Sequence, residues 1–260
     1  MALLAHSTVG SGPRGTLLLH GFLGSARNLR SLQQRLSDVD PSRTVMAVDL
    51  PGHGESAPPR EDETLGSMAA AVLETAHAAG LPPPYDVVGH SLGGRTALAL
   101  AGLAEPEVAA VALLDISPSP IPASLSASGA VLRKLLSVPA SAPDRRAMKE
   151  ALAATGLPGP LVDWLATNLR PDEGGGVRWR IDRAGLERLQ PRVNAEDLWG
   201  VVERGGVKVL CIRGDRSPYV PSEDVRRLES LGAQVSTVEA GHDVHVEALS
   251  QVLTLLQRGL

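Results

Sequence analysis

The 260-residue chain lacks several things, and each absence excludes something. It has one cysteine, so no internal disulfide can form, which fits a reducing, cytoplasmic setting. Cys211 sits among Val209, Leu210 and Ile212 and reads as a small buried filler in a strand. Positive charge is not in excess. The net charge is −4 and no basic stripe is present, so nucleic acid is not an expected partner. No apolar run approaches the roughly 20 residues that span a bilayer. The first seven residues have no basic flank and only a very short apolar run, and so make a poor signal peptide. Around the His20-Gly21-Phe22 loop neither a Gly-Lys-Ser/Thr nor a Gly-x-Gly-x-x-Gly pattern occurs, which weakens a phosphate-loop reading of that region. There is no internal repeat and no long disordered tract. Aromatics are scarce: one Phe, two Tyr and three Trp.

What is present alternates. Apolar runs at 16–19, 44–48, 85–88 and 108–114 read as buried strands, and the segments between them have helical spacing. Leu29, Leu32 and Leu36 share a helix face, and 65–79 is an Ala-rich helix stopped by Gly80 and Pro82-Pro83-Pro84. This rhythm predicts right-handed crossovers and a mainly parallel sheet. A first short strand is expected at 3–7. At Ser117 the rhythm breaks. Pro118, Pro120 and Pro122 are followed by four helical segments, with Gly174-Gly175-Gly176 as a turn and no clear strand before Val207. Residues 117–200 therefore read as a helical cap inserted into a core of residues 1–116 and 201–260. Strand rhythm returns at 207–212 and 234–238, and a final helix carries Leu249, Val252, Leu253 and Leu256 at core spacing.

The most informative stretch is Tyr85-Asp86-Val87-Val88-Gly89-His90-Ser91-Leu92-Gly93-Gly94. A strand, a Gly-x-Ser-x-Gly turn and a helix in succession make a nucleophile elbow, which lifts Ser91 above the sheet edge. A serine hydroxyl needs a base, and that base belongs on a later strand-end loop. His242, in Ala240-Gly241-His242 after the last strand, fits. His245 is its rival and reads better as a neighbour packed beside His242 or as a helix cap. His20 and His53 read as loop-fixing donors, and His6 and His77 as ordinary surface or core positions. The base needs an acid. Asp115 ends the strand next after the nucleophile and Asp215 follows the strand after that, while Asp243 is adjacent to the base and points wrongly. Residue patterns alone leave Asp115 and Asp215 open. Oxyanion donors are expected from the backbone N–H groups of Leu92 and Phe22.

These features resemble the α/β-hydrolase fold superfamily over nearly the whole chain. His20-Gly21-Phe22-Leu23-Gly24-Ser25, Asp115-Ile116-Ser117-Pro118, Thr167-Asn168-Leu169, Arg178-Trp179-Arg180-Ile181, Ser217-Pro218-Tyr219-Val220 and Gly241-His242 together resemble the YbfF-type esterases and their mitochondrial abhydrolase relatives. The resemblance implies an α/β-hydrolase fold, a mainly parallel sheet flanked by helices, with the cap inserted after the sixth strand. It favours Asp115 as the acid and gives Ser217 an auxiliary role in holding the histidine. An aspartate at position 215 departs from that branch. All three tryptophans fall in the insertion, so Trp164 and Trp179, with Tyr219 beside Ser217, are candidate walls of an acyl-binding pocket. Arg133, Lys134, Arg178 and Arg180 are candidate contacts for an acidic substrate group or a solvated face.

The expected activity is serine carboxylic-ester hydrolysis of short to medium acyl esters, or thioesters, with Ser91, His242 and Asp115 as triad. No metal or organic cofactor is implied. The expected partner is a small-molecule ester, and the protein a monomer or homodimer. Acyl transfer, or carbon–carbon lysis with the same triad, is the alternative, and a small-ligand receptor is a third. An aspartate is absent from the position of Ser91, which argues against haloalkane dehalogenase and epoxide hydrolase chemistry.

Overall fold

The computed structural model describes residues 3–260. The first two residues, part of the start that reads as a poor signal peptide and of the expected core segment 1–116, lie outside the described residues. The main sheet contains β1 (His6–Val9), β2 (Arg14–Leu19), β3 (Arg43–Val48), β4 (Tyr85–His90), β5 (Val108–Leu114) and two later strands, here β9 (Lys208–Gly214) and β10 (Gln234–Val238). Their spatial order is β1-β3-β2-β4-β5-β9-β10. Only β1 runs antiparallel to its neighbour, and the strand begins three residues later than the 3–7 expectation. Its first three residues are exposed, so burial leaves no run for sequence reading to find.

Both sheet faces are covered, which is why the central strands are apolar at successive positions. Leu17, Leu19, Val87, Val111 and Leu113 join one core cluster. Leu18, Val88, Ala112 and Leu114 alternate into the other. Helices α1 (Arg30–Val39) and α11 (Leu249–Gly259) lie on the second face, with Leu32, Leu36, Val252 and Leu256 buried there. Helices α2 (Leu65–Ala78) and α3 (Leu92–Leu103) cover the first. Helix α9 (Ser222–Ser230) leads into β10, and the four-residue α10 (Val244–Glu247) follows it.

Between β5 and β9 the chain leaves this sheet. It forms α4 (Ala127–Ser137), α5 (Arg145–Ala154), α6 (Gly159–Ala166), α7 (Arg183–Ala195) and α8 (Trp199–Arg204). The excursion follows the fifth strand in chain order, not the sixth. Nor is it purely helical. β6 (Ser141–Ala142), β7 (Leu169–Pro171) and β8 (Val177–Trp179) form a small antiparallel sheet in the order β6-β8-β7. Strands of two or three residues carry too few positions for a period of two to show. The Gly174–Gly176 turn closes the β7–β8 hairpin, with Gly175 and Gly176 at positive φ. Helix α7 runs on to Ala195, through Pro191.

One guanidinium ties the excursion to the core. Arg95 in α3 is fully buried and donates to the carbonyls of Ser119 (2.5 Å), Val193 (3.1 and 3.3 Å) and Glu196. Burial lowers its pKa to about 10, which still leaves it charged. Incoming and outgoing segments also bond each other, Ile121 N–H to Asn194 O (2.8 Å) and Leu198 N–H to Pro118 O (3.0 Å).

The elbow is equally tight. A Cβ on Gly93 would lie 2.2 Å from the Leu19 carbonyl oxygen, and one on Gly89 2.2 Å from that of Gly93. Backbone sits on both sides, so nothing flexible can yield. Gly93→Ala is expected to cost about 3 kcal/mol, or roughly 10 °C in Tm. A melting curve checks this, and an unshifted Tm would refute the close approach.

Candidate active site

Three non-glycine residues among those described have positive φ: Leu23 (63°), Ser91 (51°) and Asp115 (53°). All three follow the carboxyl ends of parallel strands, β2, β4 and β5 respectively. Such conformations cost on the order of 1–3 kcal/mol each and persist where the surroundings impose them. Here they gather at one rim of the sheet.

Asp115 is fully buried. Its Oδ1 accepts from Gly214 N–H at 2.8 Å. Its Oδ2 accepts from His242 Nδ1–H at 2.7 Å and from the Ser217 hydroxyl. The Ser217 hydroxyl thus meets the carboxylate and not the imidazole. Asp215 points elsewhere. Its Oδ1 accepts from Ala240 N–H (2.9 Å) and from Arg216 (3.2 Å), fastening its own loop. The Tyr219 ring lies 4.2 Å from that of His242, centroid to centroid.

Ser91 begins α3, and its hydroxyl has no hydrogen-bond partner among the described residues. It opens into a cavity of about 10 Å³, room for one water-sized body. Phe22, Leu92, Arg95 and Tyr219 line it from the core, and Ile121, Ser126, Ser128, Gln190, Val193 and Asn194 from the excursion. The backbone N–H groups of Phe22 and Leu92 make no hydrogen bond among the described residues. Trp164 and Trp179 are not part of this lining. Trp179 is buried, with Nε1–H donating to Pro139 O at 3.0 Å, and Trp164 packs half-buried against the same apolar cluster. Both rings pack in the larger core cluster, away from the Ser91 cavity as it stands. Trp199 likewise donates Nε1–H to Ser119 Oγ (2.9 Å). Arg178 pairs with Asp172 (3.4 Å) and Arg180 with Glu55, and neither lines the cavity.

The loop carrying Phe22 is fastened by both early histidines. His20 accepts from Leu50 N–H (3.0 Å) and His53 from Leu23 N–H (3.1 Å). Each donates Nδ1–H to a nearby carbonyl, Gly21 and Pro51. The two are thus acceptors as well as donors. Buried Asn168 reaches from the excursion to donate to Leu23 O at 2.8 Å. His90, to which sequence reasoning gave no role, lies between two other rings. Its centroid is 4.6 Å from His242 and 4.5 Å from His245, and its Nε2–H donates to the His242 carbonyl at 3.0 Å. His245 is buried with its ring against that of His90. Only the Gly-x-Ser-x-Gly position of His90 hinted that it would face the rim.

Burial, then the neighbouring His20, pushes His53 down to about 3. Burial, then His242, pushes His245 down to about 4. His90 is also held well below the ordinary value, chiefly by burial. The unfolded chain binds protons at His53 and His245 near pH 6.5, while the folded chain excludes them until near pH 3 and pH 4 respectively. Stability is therefore full above about pH 6.5 and falls as pH drops through the window below it, by about 2 kcal/mol for each such group at pH 4.5. Urea unfolding at pH 7 and pH 4.5 measures this, and equal midpoints would contradict it. Burial also pushes the Cys211 thiol up to about 12, consistent with an inert filler.

A profile of the alpha/beta hydrolase fold family matches residues 17–249. The chain belongs to that family. Among curated proteins, this hydrolase-fold chain is 31% identical over 255 residues to the sn-1-specific diacylglycerol lipase ABHD11 of Xenopus laevis, covering 92% of the chain and 77% of the relative. It is 33% identical to Lipase LipV of Mycobacterium tuberculosis, covering 96% and 94%. It is 28% identical to Esterase Rv0045c of the same organism, covering 90% and 78%. Among solved structures, a marine microorganism esterase superposes with a TM-score of 0.87 at 23% identity, covering 99% of each chain, which speaks for the fold. No helix among the described residues is long and apolar enough to cross a membrane.

Proposed function

We propose that this alpha/beta hydrolase fold protein is a serine carboxylic-ester hydrolase acting through an acyl-enzyme. The observation that carries the reading is the 2.7 Å bond between His242 Nδ1 and the fully buried Asp115, one strand away from the Ser91 elbow. A buried carboxylate that accepts Nδ1–H fixes the tautomer that leaves Nε2 free to accept a proton. In this reading Ser91 attacks the ester carbonyl as His242 takes its proton. The tetrahedral oxyanion forms beside the unpartnered amides of Phe22 and Leu92. Collapse expels the alcohol, which takes the proton from His242. Water then attacks the acyl-Ser91 ester with His242 again as base, and the acid leaves. The sequence of steps needs no redox partner.

The same reading assigns the chemistry to residues 1–116 and 201–260 and substrate enclosure to a cap of residues 117–200. An ester is far larger than the present cavity. Side chains of the cap must therefore withdraw from Ser91 before substrate enters, with Tyr219 and Phe22 remaining as the core-side wall. Relatives named as lipases and esterases support an acyl ester as substrate, with short to medium chains the range to test first.

A covalent test addresses the acyl-enzyme directly. A fluorophosphonate or a slow acyl ester is expected to add one equivalent of mass to the chain, located on the peptide containing Ser91. Rapid esterase turnover with label elsewhere, or turnover with no label, would remove Ser91 from the proposal.

A further inference from the structure

Beside the proposed catalytic line lies a cluster that it does not use. His90, Asp243 and His245 each bring one metal-ligating type of atom within 4.8 Å of the other two. His90 Nε2 is 3.8 Å from Asp243 Oδ1. Both imidazoles are buried, while the Asp243 side chain is 60% exposed and opens the cluster to solvent. His245 supplies a separate pointer. Its Nδ1 is buried without a hydrogen-bond partner among the described residues. A buried polar nitrogen left unsatisfied is destabilising, a deficit that a ligand can remove.

We propose that His90, Asp243 and His245 bind a borderline transition-metal cation, zinc foremost, and that occupancy suppresses turnover at Ser91. The second part rests on the esterase reading above. Two imidazoles and one carboxylate suit zinc, nickel or copper, whereas calcium and magnesium favour all-oxygen shells. Zinc–ligand bonds of about 2.0–2.2 Å put tetrahedral donors about 3.4 Å apart, so the cluster must tighten by about 1 Å. The exposed Asp243 side chain, at the head of the four-residue α10 and with no capping bond of its own, has the freedom to do so. Its open side leaves water as the fourth ligand.

The route to inhibition is short. Coordination uses the lone pair of His90 Nε2, so the proton now carried there moves through solvent to Nδ1 and the total proton count is unchanged. The bond from Nε2–H to the His242 carbonyl is then lost. Asp243, the next residue after His242, is drawn toward the ion at the same time. Both changes act on the backbone of the base and leave the cavity over Ser91 free, so kcat should fall while KM holds.

Calorimetry with zinc chloride, and visible absorption with cobalt in its place, read the site without any turnover. One equivalent is expected to bind the wild-type chain, and magnesium none. Zinc should depress kcat for a chromogenic ester with KM little changed. Asp243→Asn and His245→Gln each remove one ligand. Each should weaken zinc binding and shift the inhibitory concentration by at least about tenfold, with metal-free activity kept. Asp243→Asn alters only an exposed side chain and suffices alone if His245→Gln fails to fold. Undiminished zinc affinity in Asp243→Asn would put the ion elsewhere, for instance on His242, and overturn the proposal. So would the lack of any binding heat or cobalt band. A preparation that binds zinc through these residues but hydrolyses no ester would keep the site and sink only the esterase reading.

Discussion

Replacing Ser91 by alanine is expected to lower kcat for an acyl ester by about 10⁵-fold, down to what the oxyanion donors and substrate binding supply alone. The fold should survive. The Ser91 hydroxyl makes no hydrogen bond among the described residues, so alanine orphans no partner. Alanine also keeps the same strain at φ 51°. Glycine at this position gives a sharper control, because it relieves the positive φ at no steric cost. Ser91→Gly should be as inactive as Ser91→Ala yet melt at a higher temperature, returning part of the roughly 1–3 kcal/mol stored at such a residue. Steady-state kinetics and thermal denaturation on the two variants separate chemistry from stability. Residual activity within tenfold of wild type in either would end the esterase proposal.

The second large effect concerns the carboxylates. Asp115→Asn is expected to lower kcat by about 10³–10⁴-fold with the chain still folded. Three donors converge on Asp115: Gly214 N–H, the Ser217 hydroxyl and His242 Nδ1–H. An amide turns one acceptor oxygen into a donor, so at least one of these bonds becomes a clash of hydrogens. If His242 is the one displaced, its tautomer reverses and Nε2 can no longer accept the serine proton. Asp215→Asn keeps an oxygen for Ala240 N–H and should leave kcat within about twofold, as expected of a polar change remote from the reacting atoms. The reverse ranking, with Asp215→Asn crippled and Asp115→Asn active, would transfer the acid role to the later loop.

These outcomes bear on what residues alone reveal. The centre of the sheet was legible because strands covered on both faces are apolar nearly throughout, and 108–114 was bounded to the residue. Elbow and late histidine were legible because each sits where a strand run stops. The choice between Asp115 and Asp215 was not legible from pattern, since both follow strand ends. What separates them is direction. Asp115 takes up a positive φ and turns its carboxylate inward, while Asp215 folds back onto Ala240. Trp164 and Trp179 lie off the Ser91 cavity because a large ring serves equally to pack a core, which sequence position does not reveal. Arg95 and His90 passed unnoticed because their partners are backbone carbonyls, which no side-chain pattern announces.

The tether made by Arg95 has an evolutionary consequence. Segments on either side of the excursion are zipped together at Pro118–Leu198 and Ile121–Asn194, and are held by the same guanidinium. Once the two stems are joined, lengthening the chain between them adds only a slowly growing closure entropy. The roof over the rim can thus be recut, lengthened or exchanged between lineages with the hearth beneath it left unaltered. Descendants of such a chain would diversify in what they accept before they diversify in what they do to it.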